Sequence, residues 1–105
     1  MAYHEHQTCI EACVRCAQEC EHCGDECIGS MKECARLCID CADICWSAAA
    51  FMSRGSQFHG KLCQLCAEVC DACAAECDKH DNEHCKAGAS ACRKCAEECR
   101  KVATE

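Results

Sequence analysis

Cysteine recurs along this chain at alternating steps of three and four residues. Cys9, Cys13, Cys16, Cys20, Cys23 and Cys27 form a first run, and Cys34, Cys38, Cys41 and Cys45 a second. Cys63, Cys66, Cys70, Cys73 and Cys77 form a third, and Cys85, Cys92, Cys95 and Cys99 a fourth. Such steps put side chains on one face of an α-helix. The chain therefore places thiols where an ordinary helical bundle places leucine.

At 105 residues the length suits one domain, residues 1–105, with one core. There is no proline, so nothing forces a helix to kink. A formal charge of −7 argues against nucleic acid, whose phosphates need a basic face. No stretch reaches the roughly 18 apolar residues of a membrane span. Met1–Gln7 has neither the basic start nor the apolar run of a signal peptide. A cytoplasmic location and reduced thiols are therefore expected.

A disulfide scaffold is the usual meaning of so many cysteines in a short chain. Here the 19 cysteines are odd in number and helical in spacing. Cβ atoms three or four apart on a helix lie about 5–6 Å apart, whereas a disulfide needs about 3.5–4.5 Å. Neighbours within a run cannot pair without breaking the helix, although bridges between helices stay open.

The breaks between runs predict four helices, at about Tyr3–Ile28, Met31–Arg54, Gln57–Lys79 and Asn82–Thr104. Gly29 reads as a helix terminator, Ser30 as an N-cap and Glu33 as the partner in a capping box. Gly55-Ser56 repeats the signal, and Asp81 reads as the last N-cap. Loops this short make neighbours antiparallel, so the expected fold is all-α: an antiparallel up-down-up-down four-helix bundle with a Cys-lined core.

Written as heptads, cysteines fill a and d. The e positions are small: Ala17, Gly24, Ala35, Ala42, Ala49, Gly60, Ala67, Ala74, Ala89 and Ala96. Larger groups, Leu37, Ile44, Phe51, Leu62 and Val69, take g in the second and third helices. Gly24, Gly60 and Gly88 each cost about 1 kcal/mol relative to alanine, which suggests scarce space at those points.

An inert thiol core would sacrifice apolar burial worth roughly 25 cal/mol per Å2 at each position, so a function must offset the loss. Eight pairs have the form Cys-x-x-x-Cys: Cys9/Cys13, Cys16/Cys20, Cys23/Cys27, Cys34/Cys38, Cys41/Cys45, Cys66/Cys70, Cys73/Cys77 and Cys95/Cys99. Each offers two sulfurs from one side of a helix. Thiolates favour Cu(I), zinc and iron–sulfur clusters. Zinc wants four ligands, and both zinc and the clusters commonly use loop spacings, whereas Cu(I) accepts two or three sulfurs. Nineteen thiolates in one core also need counter-charge. A monovalent ion at about one per thiolate supplies it; a divalent ion at that ratio overshoots.

The two ends of the expected bundle differ. Ile10, Trp46, Phe51, Met52, Phe58, Leu62 and Val102 gather at one as an apolar plug. Cys27, Met31, Cys34, Cys77, His80, His84 and Cys85 gather at the other. Thioether and imidazole bind Cu(I) more weakly than thiolate, so Met31, His80 and His84 suit an entrance, although the histidines also suit polar helix ends. His59 lies on the stripe one turn before Cys63 and is a candidate partner for it. His4, His6 and His22 read as surface residues, His6 being nevertheless in register.

With these features the chain resembles the cysteine-rich four-helix-bundle copper storage proteins of bacteria, most nearly their cytosolic branch. The likeness runs through the whole chain and rests on the inward Cys-x-x-x-Cys pairs and the methionine- and histidine-bearing end. The resemblance implies many Cu(I) ions held inside the bundle, with the eight pairs as ligands and Cys63, Cys85 and Cys92 as unpaired additions. It also implies a homotetramer. Gly88 takes a ligand's place between Cys85 and Cys92, which makes the fourth helix irregular. Val14, Ile39, Trp46 and Leu65 fall on outward positions and suit self-association. The implied partners are copper ions, copies of the chain and a copper chaperone that the sequence does not name. The alternative is a zinc or cadmium thiol buffer of the metallothionein kind. No cysteine stands apart at an accessible helix N-terminus as a catalytic thiol would, so no enzyme is expected.

Overall fold

The computed structural model describes residues 5–105, and His4 and Tyr3 lie outside that range. Its four helices are α1 (Gln7–Cys27), α2 (Lys32–Ser53), α3 (His59–Cys77) and α4 (Glu83–Ala103). α1 packs on α2 and α4, and α3 packs on the same two. The result is the expected up-down-up-down bundle, 42 Å long and 18 Å across in both other directions.

Helix ends depart from the sequence expectation in instructive ways. Gly55 has φ 65°. Around it Ser56 N–H reaches the Phe51 carbonyl at 3.0 Å and Gly55 N–H the Met52 carbonyl at 3.2 Å. This is the Schellman closure that the glycine allows. Ser56 Oγ then accepts from Phe58 N–H at 3.1 Å, so α3 starts two residues later than the spacing suggests. Gly29 behaves differently, because no positive φ occurs there. The α1–α2 turn closes on the Cys27 carbonyl, which accepts from Ser30 N–H at 3.1 Å and from Met31 N–H at 2.8 Å.

Ser30 is not the cap of α2. Met31 holds that position without a side-chain bond, which leaves Ser30 one residue out of register. Glu33 bonds Arg36 at 3.1 Å instead. Asp81 is likewise displaced as a cap by Asn82 and pairs with Lys86 at 2.9 Å.

All 19 cysteines are buried. The small e residues line the helix seams, and Ala17 and Ala42 are wholly buried. A Cβ on Gly24 would touch Ile39 Cγ1 at 3.4 Å and Cys38 Cβ at 3.5 Å, whereas one on Gly60 would meet nothing within 4 Å. Close approach therefore explains neither glycine: one has ordinary contact distance and the other open space. Leu37, Ile44, Leu62 and Val69 pack half-buried against the core, as does Val14. Outside, Trp46 Nε1 donates to Glu21 across α1 and α2 at 3.2 Å. Arg93 with Asp78 and Arg100 with Asp71 tie α4 to α3 and its C-terminal cap.

Candidate metal centre

The stripes of four helices merge into one column of sulfur. From the plug end, Cys9 Sγ contacts Cys99 Sγ at 3.7 Å, and Cys99 contacts Cys13 at 3.6 Å. Cys13 contacts Cys95 at 3.6 Å, and Cys95 contacts Cys45 at 3.8 Å. Cys45 leads to Cys70 at 3.8 Å, Cys70 to Cys41 at 3.6 Å, and Cys41 to Cys92 at 3.7 Å. Cys92 meets Cys20 at 3.6 Å. Towards the other end Cys73 and Cys77 lie 3.7 and 3.9 Å from Cys38. Cys34 is 3.8 Å from Cys77, and Cys23 is 3.8 Å from Cys85. Cys66 joins through Cys45 at 3.7 Å, and Cys16 through Cys92 at 3.7 Å. Cys63 borders Cys9 and Cys99.

These separations exclude disulfides, whose sulfurs are about 2.05 Å apart, and all 19 thiols are free. They suit a shared ion, since metal–thiolate bonds of about 2.3 Å span two sulfurs near 4 Å apart. The one-turn pair is not the privileged unit. Cys16/Cys20 stand 4.0 Å apart and Cys41/Cys45 3.9 Å, slightly farther than many contacts between helices. Clusters of four sulfurs form, among them Cys13, Cys66, Cys95 and Cys99, then Cys16, Cys45, Cys70 and Cys95, then Cys16, Cys20, Cys41 and Cys92. These clusters share Cys95 and Cys16. The same sharing recurs where Cys23, Cys27, Cys34 and Cys85 meet Cys23, Cys34, Cys38 and Cys77.

At the end formed by the α1–α2 and α3–α4 turns, His84 alone of the predicted histidines reaches the sulfurs. Its Nδ1 lies 3.4 Å from Cys23 Sγ, 3.5 Å from Cys85 Sγ and 4.0 Å from Cys27 Sγ. Met31 Sδ sits half-buried and accepts from Asn82 Nδ2 at 3.6 Å. His80 turns aside, its Nε2 3.1 Å from Glu76 Oε2. Hydrogen bonds from Lys79 and His80 hold the Glu76 carboxyl below its ordinary range. Asn82 carries no signal in the sequence beyond its place at the start of the fourth helix. His22, read as a surface residue, is exposed but stands edge-on to His84 with centroids 6.3 Å apart.

The plug end is smaller than expected. Met52, Ile10 and Val102 are buried there. Trp46 and Phe58 are 39% and 57% exposed: Trp46 follows Cys45 and so points about 100° off the stripe, and Phe58 lies in the turn before α3. Phe51 and Leu62 are half-buried, and the Arg54 guanidinium covers the Phe51 ring at 4.7 Å. His6, expected at the surface, is buried. Its ring stacks beside that of His59, centroids 4.9 Å apart.

Burial disfavours the thiolate. It pushes the Cys23 thiol up to about 12 from 9.0 and raises Cys27 and Cys85 as well. These three thiols are therefore neutral at pH 7, and each must lose its proton to bind a metal.

The sequence pattern of the copper storage proteins matches residues 2–104. The chain belongs to the copper storage protein family. Apo copper storage protein 3 from Bacillus subtilis is 47% identical over 92% of this chain and 97% of its own, with a TM-score of 0.89. Cu(I)-bound copper storage protein BsCsp3 is 45% identical over 92% and 96%, with a TM-score of 0.88. A cytosolic copper storage protein from Streptomyces lividans, carrying five coppers, is 38% identical over 94% and 92%, again with a TM-score of 0.88. A comparison with curated proteins gives no match. As a copper storage protein the chain has its sulfur column for cargo, not for a resident cofactor. No helix among the described residues is long and apolar enough to cross a membrane.

Proposed function

We propose that this chain stores Cu(I) in the cytosol, on the order of one ion per cysteine, throughout the column. The continuity of the column carries the reading, because overlapping four-sulfur clusters suit thiolates that bridge neighbouring ions. Exchange of one proton for one Cu(I) leaves the charge of the buried core unchanged, whereas exchange for a divalent ion adds a charge at each step. The cytosolic setting follows the Streptomyces lividans relative. All 19 cysteines serve as ligands. Ions enter past Met31, Asn82 and His84 to Cys23, Cys27 and Cys85, while His80 stays turned aside onto Glu76.

Anaerobic titration against a strong Cu(I) chelator, paired with a zinc indicator, tests this. Uptake on the order of one Cu(I) per cysteine is expected. Saturation at four or five ions, or preferential zinc retention, would overturn it in favour of the thiol buffer. A homotetramer is supported by the exposed apolar groups Ile39, Trp46 and Leu65, which are 42%, 39% and 49% accessible. Light scattering of apo and loaded protein checks it, and a monomeric mass would exclude it. Delivery by a chaperone would appear as faster uptake from a copper-loaded donor protein than from a small chelate.

A further inference from the structure

The column has histidine at both ends, and the far pair is unexplained by the entrance. His6 precedes Cys9 by three residues and His59 precedes Cys63 by four, so both extend the sulfur stripe by one turn. Their rings lie side by side at 4.9 Å, next to the layer where Cys9 meets Cys99 at 3.7 Å and borders Cys63.

Two details make this more than a pair of helix-end residues. The His6 side chain is only 8% exposed, yet its Nδ1 has no hydrogen-bond partner among the described residues. The nearest carboxylate oxygen, Glu105 Oε1, is 3.6 Å away. A buried, unpartnered ring nitrogen forfeits its hydration with nothing in return unless something occupies it. His59 is oriented: its Nδ1 lies 2.7 Å from the Ser56 carbonyl, so it donates there and leaves Nε2 with a free lone pair. This is the arrangement by which a second partner orients a metal-binding imidazole. A hollow of about 190 Å3 opens beside His6 and Cys9, with Glu5 and Glu105 on its lining and Lys101 paired with Glu98.

We propose that His6 and His59 form a second Cu(I) site, a two-imidazole port that passes ions to Cys9, Cys63 and Cys99 at the end opposite Met31 and His84. The inference rests on the Cu(I)-storage reading. Copper stays in the +1 state throughout. The imidazole lone pairs bind it without losing a proton, and the accepting thiol releases one to solvent as its sulfur takes the ion.

The test uses the full reduced chain and Ag(I), a soft monovalent probe, followed by long-range 1H–15N correlation of the histidine rings. Ring nitrogens of both His6 and His59 should shift during loading. Unchanged His6 and His59 signals at saturation would overturn the site, whatever the capacity. A wild-type chain that holds only a few ions would instead overturn the storage reading, which separates the two failures. Uptake of Cu(I) from a weak chelator then tests the port. His84→Ala should retain measurable uptake, and adding His6→Gln and His59→Gln should slow it several-fold further. Complete loss of uptake with His84→Ala alone, or no further slowing in the triple variant, would rule out passage at this end. The ring signals come from the wild-type chain, so a variant that fails to fold leaves the site itself tested.

Discussion

His84 and His80 are four residues apart and chemically identical, yet only His84 meets the sulfurs, while His80 is held by Glu76. His84→Ala should therefore slow Cu(I) uptake several-fold, and His80→Ala should change it little, with final capacity kept in both; stopped-flow transfer from a weak chelator measures this. Gly88 makes a different case. A Cβ there would lie 3.6 Å from Cys77 Sγ and 3.8 Å from Cys23 Sγ, so alanine fits the bare bundle. Gly88→Ala should stabilise the apo chain by up to about 1 kcal/mol through helix propensity. It should also lower Cu(I) occupancy near the mouth, because the methyl group stands among the sulfurs. Thermal melts and the saturation point of a titration check both parts. Burial raises the Cys23 thiol from 9.0 to about 12, so the folded state holds its proton longer than the unfolded chain. The stability this confers is complete below pH 9 and is lost as pH rises towards 12. Urea titrations of apo protein at rising pH should show the decline beginning near pH 9.

Between helices, two glycines that look alike in sequence differ in conformation. Gly55 occupies the left-handed region in a Schellman closure, and Gly29 does not. Gly55→Ala should cost about 1–2 kcal/mol. Gly29→Ala, with nothing within 4 Å of the added Cβ, should be neutral or stabilise by about 0.4–1 kcal/mol. Equilibrium unfolding of the two variants compares them directly. The number of helices and the inward face of each were legible because a period of three and four residues admits one regular structure. The caps were less so. Ser30 and Asp81 are good cap residues that lie one position before the cap sites of their helices, and one residue of register decides whether a short side chain reaches an orphan N–H.

Thiols pack as small hydrophobes, and one buried cluster joins the cysteines to the seam alanines, so the core does not depend on metal for its packing. Reduced, metal-free protein should give a helical circular dichroism spectrum, and a random-coil spectrum would contradict the structure. Sulfurs brought together from four helices hold Cu(I) more tightly than the separated thiols of the unfolded chain, so loading should raise Tm, and stripping with a strong chelator should return it to the apo value without unfolding. A metallothionein-like chain would unfold on the same treatment.

By itself the sequence determined that four helices present thiols to a common core, because helical period and apolar burial are local and additive. It also determined the soft-metal chemistry, since sulfur is what the core is made of. Only the tertiary structure decided how the thiols group. Contacts across helices, such as Cys41 with Cys70 at 3.6 Å, are at least as close as those along one helix, so the pairs dissolve into a shared column. It also decided which histidines touch that column. His84 lies against the sulfurs and His80 beside a carboxylate, because side-chain placement at a helix end depends on what the neighbouring helix brings near.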